Sequence, residues 1–165
     1  MSETASNDGP DSPMLPEAAA ACIFYAAQTA DLPPPILMTV LTVEAGHEGT
    51  HSPNGNGNGS EDYGPGQINT IWIDEIARKI HQSPEATRAL LQYDGCFNIR
   101  VTASLLRRQI NAAGEFWTGV GWYHSRTKAE SLKYIRKVIA TAKRLFGPEI
   151  IAATPVEAVA RRPGS

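Results

Sequence analysis

A chain of 165 residues, 42% hydrophobic and 19% charged, has the length of one domain and enough apolar material for a core, which excludes a wholly disordered protein. A formal net charge of -2, with no long Lys/Arg run, argues against a duplex nucleic-acid binder. No stretch approaches the roughly 18 apolar residues that a membrane-spanning helix requires.

Residues 1–15, MSETASNDGPDSPML, read as a disordered lead-in. They are polar and mildly acidic, without the basic and apolar regions of an intact signal peptide. The folded domain is expected over 16–147. Pro16 and Glu17 suit a first helical turn, and PEAAAACIFYAAQTA carries that helix to about Ala30. Asp31, Leu32 and three prolines break the chain. A second helix should begin within Pro34-Pro35, run through ILMTVLTVEA and stop at Gly46.

The stretch from Gly46 to Gly66 is rich in Gly, Asn and Ser. A loop that long inside a compact domain is usually functional. Thr70 is expected to cap a helix through about His81, and Ser83-Pro84-Glu85 to start a short one that Gly95 closes. Cys96 to Ala113 carries Val101, Leu105 and Ile110 near helical spacing, with Gly114 as its stop. A further short helix fits EFWTGVGWY. Thr127-x-x-Glu130 reads as a capping box for the last helix, whose apolar positions are Leu132, Ile135, Val138, Ile139, Ala142 and Leu145-Phe146. Gly147-Pro148 ends it, and 148–165 is expected to be a flexible tail. With no internal repeat and no alternating strand pattern, the fold is expected to be mainly α.

Cys22 and Cys96 are too far apart for a local CxxC unit. They form either a disulfide, closing a loop of about seventy residues for ~4 kcal/mol, or two buried thiols. Spacing alone leaves both open.

Two readings compete at VEAGHEGTHSPNGNG. His47-Glu48-x-x-His51 spells a zinc-protease signature, which works only if both histidines lie one turn apart on a helix. Gly46, Gly49 and the following Ser52-Pro53-Asn54-Gly55 are the composition of a chain leaving a helix, so both histidines are expected in an exposed loop and no metal is expected. The other reading concerns Glu44. Leu37, Val40 and Leu41 fall at i, i+3 and i+4, and Glu44 at i+7, on the apolar face at the last turn. Burial and the negative helix end both disfavour its carboxylate. A neutral acid able to give up a proton near pH 7 would suit glycosidic cleavage; the plain alternative is a glutamate reaching into water.

Downstream, Glu61-Asp62-Tyr63-Gly64-Pro65-Gly66-Gln67-Ile68-Asn69-Thr70 offers glycines that admit close backbone approach. Its amides at Gln67 and Asn69 suit sugar hydroxyl and N-acetyl groups. It could equally be a turn feeding a helix cap. Trp117, Trp122 and Tyr123 could stack on sugar rings or fill the core.

Taken in order, the early Cys22, the helix ending Glu44-Ala45-Gly46, the Asn/Gly-rich loop, the Asp62-to-Asn69 segment, Cys96-Phe97-Asn98-Ile99 and the late Tyr123-His124-Ser125 resemble lytic transglycosylases. The similarity is greatest to the specialised kind attached to bacterial conjugation and secretion machines, and it covers about Ala21 to Phe146. The resemblance implies a lysozyme-like α domain with a glycan cleft. Glu44 would match the sole catalytic acid, Gln67 and Asn69 the polar wall around the cleaved sugar, and Tyr123 the tyrosine near the acid. Asp62, Tyr63, Gly64 and His124 complete the candidate substrate-contacting set.

Cys22 and Cys96 would match a disulfide pair, implying a periplasmic location. The implied partners are peptidoglycan glycan strands and components of a secretion or conjugation machine; no cofactor is implied. Ala45, Pro65-Gly66 and His124 depart from the commoner residues and bear on substrate positioning. Glu44 would protonate the oxygen linking N-acetylmuramic acid to N-acetylglucosamine, then take the proton of the muramic C6 hydroxyl as it closes on C1, giving a 1,6-anhydro end. The rivals are a lysozyme-type hydrolase with Asp62 or Glu48 as second carboxylate, a non-enzymatic glycan-binding component of a secretion apparatus, and the zinc protease.

Overall fold

A computed structural model describes residues 16–53 and 58–154; the expected lead-in over 1–15 lies outside them. The fold is mainly α. Helices α1 (Pro16–Thr29) and α2 (Pro34–Glu44) come first, followed by three short strands, β1 (His51–Pro53), β2 (Glu61–Tyr63) and β3 (Ile68–Asn69). A 3-10 turn, Thr70–Trp72, leads into α3 (Ile73–Ile80), α4 (Pro84–Tyr93) and α5 (Gly95–Ala113). Then come α6 (Phe116–His124), α7 (Lys128–Phe146) and a single turn, α8 (Ile150–Ala153).

The core is built around α5, which packs on α1, α4 and α6, while α2 and α6 both lie against α7. Ile99, Ala103, Leu106 and Ile110 of α5 recur at three and four and share one core cluster with Ile36, Leu37 and Val40 of α2 and with Phe116, Val120 and Val138. A second cluster, of Tyr63, Ile68, Ile73, Ile76, Leu91 and Leu105, holds the sheet to the helices. Cys22 of α1 and Cys96 in the first turn of α5 are joined by a disulfide, with Cα atoms 5.4 Å apart. No helix of the described residues is long and apolar enough to cross a membrane.

Several local expectations are corrected. Segments expected as loop contain an antiparallel three-stranded sheet, His51 opposite Tyr63 and Asp62 opposite Asn69; strands of two or three residues are too short to show alternation. The left-handed residue ending α2 is Ala45 (φ 56°), not Gly46. Gly46 is needed for space instead, because a Cβ there would stand 2.0 Å from the carbonyl oxygen of Gly64.

Asn69, rather than Thr70, caps the 3-10 turn by accepting from the Ile71 amide. Gly95 opens α5 instead of closing α4, since the Asp94 side chain caps it at the Phe97 amide. Thr127 stands at the start of α7 but its side chain makes no cap bond. The buried stripe of α7 is Ser131, Tyr134, Val138 and Ala142, whereas Leu132, Leu145 and Phe146 are exposed. Residues 150–153 are helical within the expected flexible tail, of which 155–165 lie outside the described residues.

Candidate active site

Glu44 is the last residue of α2, two turns beyond the fully buried Leu37 and one beyond Val40. It is half-buried where α2 meets α7. The Tyr134 hydroxyl donates to Glu44 Oε1 at 2.6 Å. Tyr134 is buried, and the exposed ring of His124 stacks on it, centroids 4.8 Å apart and nearly parallel at 5°.

Burial raises the Glu44 pKa from 4.5 to about 7, with the negative charge of Asp62 adding to the rise and the Tyr134 hydrogen bond and Lys137 opposing it. An acid with that pKa is present in both protonation states near neutrality, so one group can donate a proton and accept one back. Burial, with the charge of Glu44, pushes the Tyr134 pKa well above 10.0. Tyr134 therefore stays a proton donor to the carboxyl.

The segment from Asp62 to Asn69 is held in place by Asn98 of α5, which is fully buried. Its Nδ2 donates to the carbonyls of Tyr63 at 2.8 Å and Leu91 at 2.9 Å, and its Oδ1 accepts from the Gly66 amide at 2.8 Å. Gly64, at φ 63°, leaves no room for a side chain, since a Cβ would stand 2.4 Å from Asn98 Nδ2. Tyr123 packs between the two core clusters and donates its hydroxyl to the Gly66 carbonyl at 2.7 Å. The tyrosine bonded to the acid is Tyr134; Tyr123 braces the turn and lies near enough to the acid that the charge of Glu44, after burial, raises its pKa.

The remaining candidates divide. Asn69 Nδ2 donates to Asp62 Oδ1 at 2.8 Å, and Asp62 acts electrostatically on Glu44. Gln67 is engaged at both ends: Oε1 accepts from Ser52 Oγ at 2.9 Å and Nε2 donates to the Gly64 carbonyl at 3.0 Å. Tyr63 is 3% exposed, with its hydroxyl bonded to Glu61. Tyr63 and Gly64 are both buried. Trp117 packs edge-on to Phe116, and Trp122 lies under the Arg126 guanidinium at 4.5 Å.

A depression of about 190 Å³ opens over Glu44, lined also by His124, Glu130, Lys133, Tyr134 and Lys137. A larger depression, about 440 Å³ between α3 and α4, includes none of these residues. His47 lies in the turn after α2 and His51 on β1, with Nδ1 3.5 Å from Glu61 Oε2. The zinc signature is therefore not carried on a helix. Among the described residues no group of three or more His, Cys, Asp or Glu is placed to hold a metal ion. Glu48 accepts from the Gly95 amide at 3.2 Å, at the start of α5.

Tyr134 is the functional candidate that sequence reasoning missed. Its signal is in the sequence: Ser131, Tyr134 and Val138 fall at i, i+3 and i+7, but a stripe traced through Leu, Ile, Val, Ala and Phe passes over a serine and a tyrosine.

No family model matches the chain. The chain is similar to Protein IpgF of Shigella flexneri and to Protein IpgF of Shigella sonnei. Each is 28% identical over 121 residues, covering 71% of this chain and 76% of the relative.

Proposed function

We propose that this chain is a peptidoglycan lytic transglycosylase. The observation that carries the reading is Glu44, a half-buried carboxyl at the end of an apolar helix face with its pKa at about 7. The ordered set of sequence motifs supports it. Protonated Glu44 gives its proton to the oxygen of the β-1,4 bond between N-acetylmuramic acid and N-acetylglucosamine as the C1–O bond breaks. The carboxylate so formed takes the proton of the muramic C6 hydroxyl, which closes on C1. Water is not consumed, and the strand ends in 1,6-anhydro-N-acetylmuramic acid. Tyr134 acts as a positioning residue, orienting the carboxyl and stabilising its charged form between the two transfers.

The similarity of the motifs to the specialised subgroup extends the proposal to local opening of the bacterial wall for a secretion or conjugation machine. The disulfide agrees with an oxidising compartment such as the periplasm.

One observation favours a second reading. Asp62 is near enough to act on Glu44 and is oriented by Asn69, so it could serve a lysozyme-type hydrolase as second carboxylate. Glu48 suits that role less, since it is spent on the start of α5.

Digestion of purified peptidoglycan by wild type and Glu44→Gln, with mass spectrometry of the soluble products, tests both. Glu44-dependent anhydro ends, one water lighter than hydrolysed ends, are expected. Reducing ends would move the assignment to the hydrolase. Products that persist in Glu44→Gln would remove Glu44 from the chemistry, and no products from wild type would favour a glycan-binding component.

A further inference from the structure

Lys133 and Lys137 stand one helical turn apart on α7, both exposed and both lining the depression over Glu44. Their i, i+4 spacing sets them on one face of the helix. Lys133 lies 3.3 Å from Glu130, yet its side chain is 72% exposed. Lys137 lies close enough to Glu44 to draw its pKa down.

Like the Tyr134 hydrogen bond, Lys137 favours the charged form of Glu44, the form left after donation, whereas Lys133 is not among the groups that shift that acid. A neutral sugar ring gives neither ammonium an ionic partner. Muramic acid, however, carries a peptide on its lactyl group, and that peptide presents free carboxylates. Two ammonium groups on flexible stems can follow a mobile carboxylate that a rigid guanidinium fork would meet in fewer poses.

Resting on the reading that Glu44 meets a muramic acid linkage, we propose that Lys133 and Lys137 form a subsite for carboxylates of the peptide borne by that sugar. The site then selects peptide-bearing strands by charge as well as by the glycan. Exposed ion pairs are individually weak and screened by salt, so the effect is a graded preference that fades at high ionic strength.

The test uses soluble glycan strands with intact peptides, and the same strands with the peptide carboxylates converted to primary amides. Binding is measured with Glu44→Gln protein, so that cleavage does not intervene. Free-carboxylate strands are expected to bind about three- to tenfold more tightly than amidated ones. That gap should close in Lys133→Met/Lys137→Met, persist in the corresponding Arg variant, and shrink in 1 M salt. Equal binding of the two strands, or a gap that survives the Met substitutions, would overturn the proposal. Cleavage by the wild-type protein is scored separately. Anhydro ends without carboxylate preference would overturn the subsite alone. A carboxylate preference without anhydro ends would overturn the transglycosylase reading and leave the subsite standing.

Discussion

The Tyr134 hydroxyl and Glu44 Oε1 stand 2.6 Å apart, joining the last residue of α2 to the middle of α7 across ninety positions of chain. The bond favours the charged form of the carboxyl and so lowers its pKa, against the larger effect of burial. Replacing Tyr134 with Phe removes the donor. The Glu44 pKa is then expected to rise above about 7, moving the alkaline limb of the pH–rate profile to higher pH, with kcat down about tenfold. A purely structural role would lower activity without moving that limb. Comparing kcat/KM against pH for Tyr134→Phe and wild type separates the two.

The raised pKa of Glu44 also predicts a pH-dependent stability. The folded value is about 7 against an ordinary 4.5, so between those values the folded chain holds the proton that the unfolded chain releases. Stability therefore falls as pH rises through that window. Glu44→Gln is expected to be more stable than wild type at pH 8, by about 1–3 kcal/mol. The difference should vanish near pH 4. Urea denaturation at the two pH values measures it; an equal gain at both would mean that Glu44 is not desolvated.

Asn98 serves three backbone groups, at Tyr63, Leu91 and Gly66. Truncation to Ala would strand those buried groups, with an expected loss of about 3 kcal/mol. Asn98→Asp exchanges two donated bonds for repulsion between a carboxylate and two carbonyls, and should cost as much or more. The turn from Gly64 to Gln67 would lose its anchor in both variants. A denaturation midpoint unchanged in Asn98→Ala would show that the turn is held by other contacts.

Reduction of the Cys22–Cys96 bridge, or the Cys22→Ser/Cys96→Ser variant, is expected to cost about 2–4 kcal/mol, because the bridge closes a long loop in the unfolded chain. Thermal melts with and without reductant report this. The variant should melt at one temperature in both conditions, and the wild-type melting point should fall to meet it.

Helices α1 to α7 were legible in the sequence because most announce themselves within a few residues: Pro16 and Pro34 at starts, Gly114 and Gly147 at stops, and apolar spacing between them. The position of Glu44 on the apolar face of α2 was legible for the same reason, since helical period depends only on sequence separation. Capping was read less well. The cap of the 3-10 turn went to Asn69 rather than Thr70, and Gly95 proved to be a start, because neighbouring residues compete for one backbone amide on geometry that composition does not carry.

What chain order could not supply was the partner of each polar side chain. Tyr123 and Tyr134 are both helix tyrosines packed against the core, and only the packing of α2 against α7 gave Glu44 to Tyr134, while α6 turned Tyr123 to the Gly66 carbonyl. Tyr63 lies in the segment that looked most like a binding loop, yet the small sheet turned it into the core. The sequence by itself determined helices α1 to α7, the apolar face of α2 and the candidate acid, because these follow from local period and propensity. The tertiary structure alone decided the environment that raises the acid's pKa and the lysines that share its depression. Desolvation and charge act over a few ångströms of space, whatever the distance along the chain.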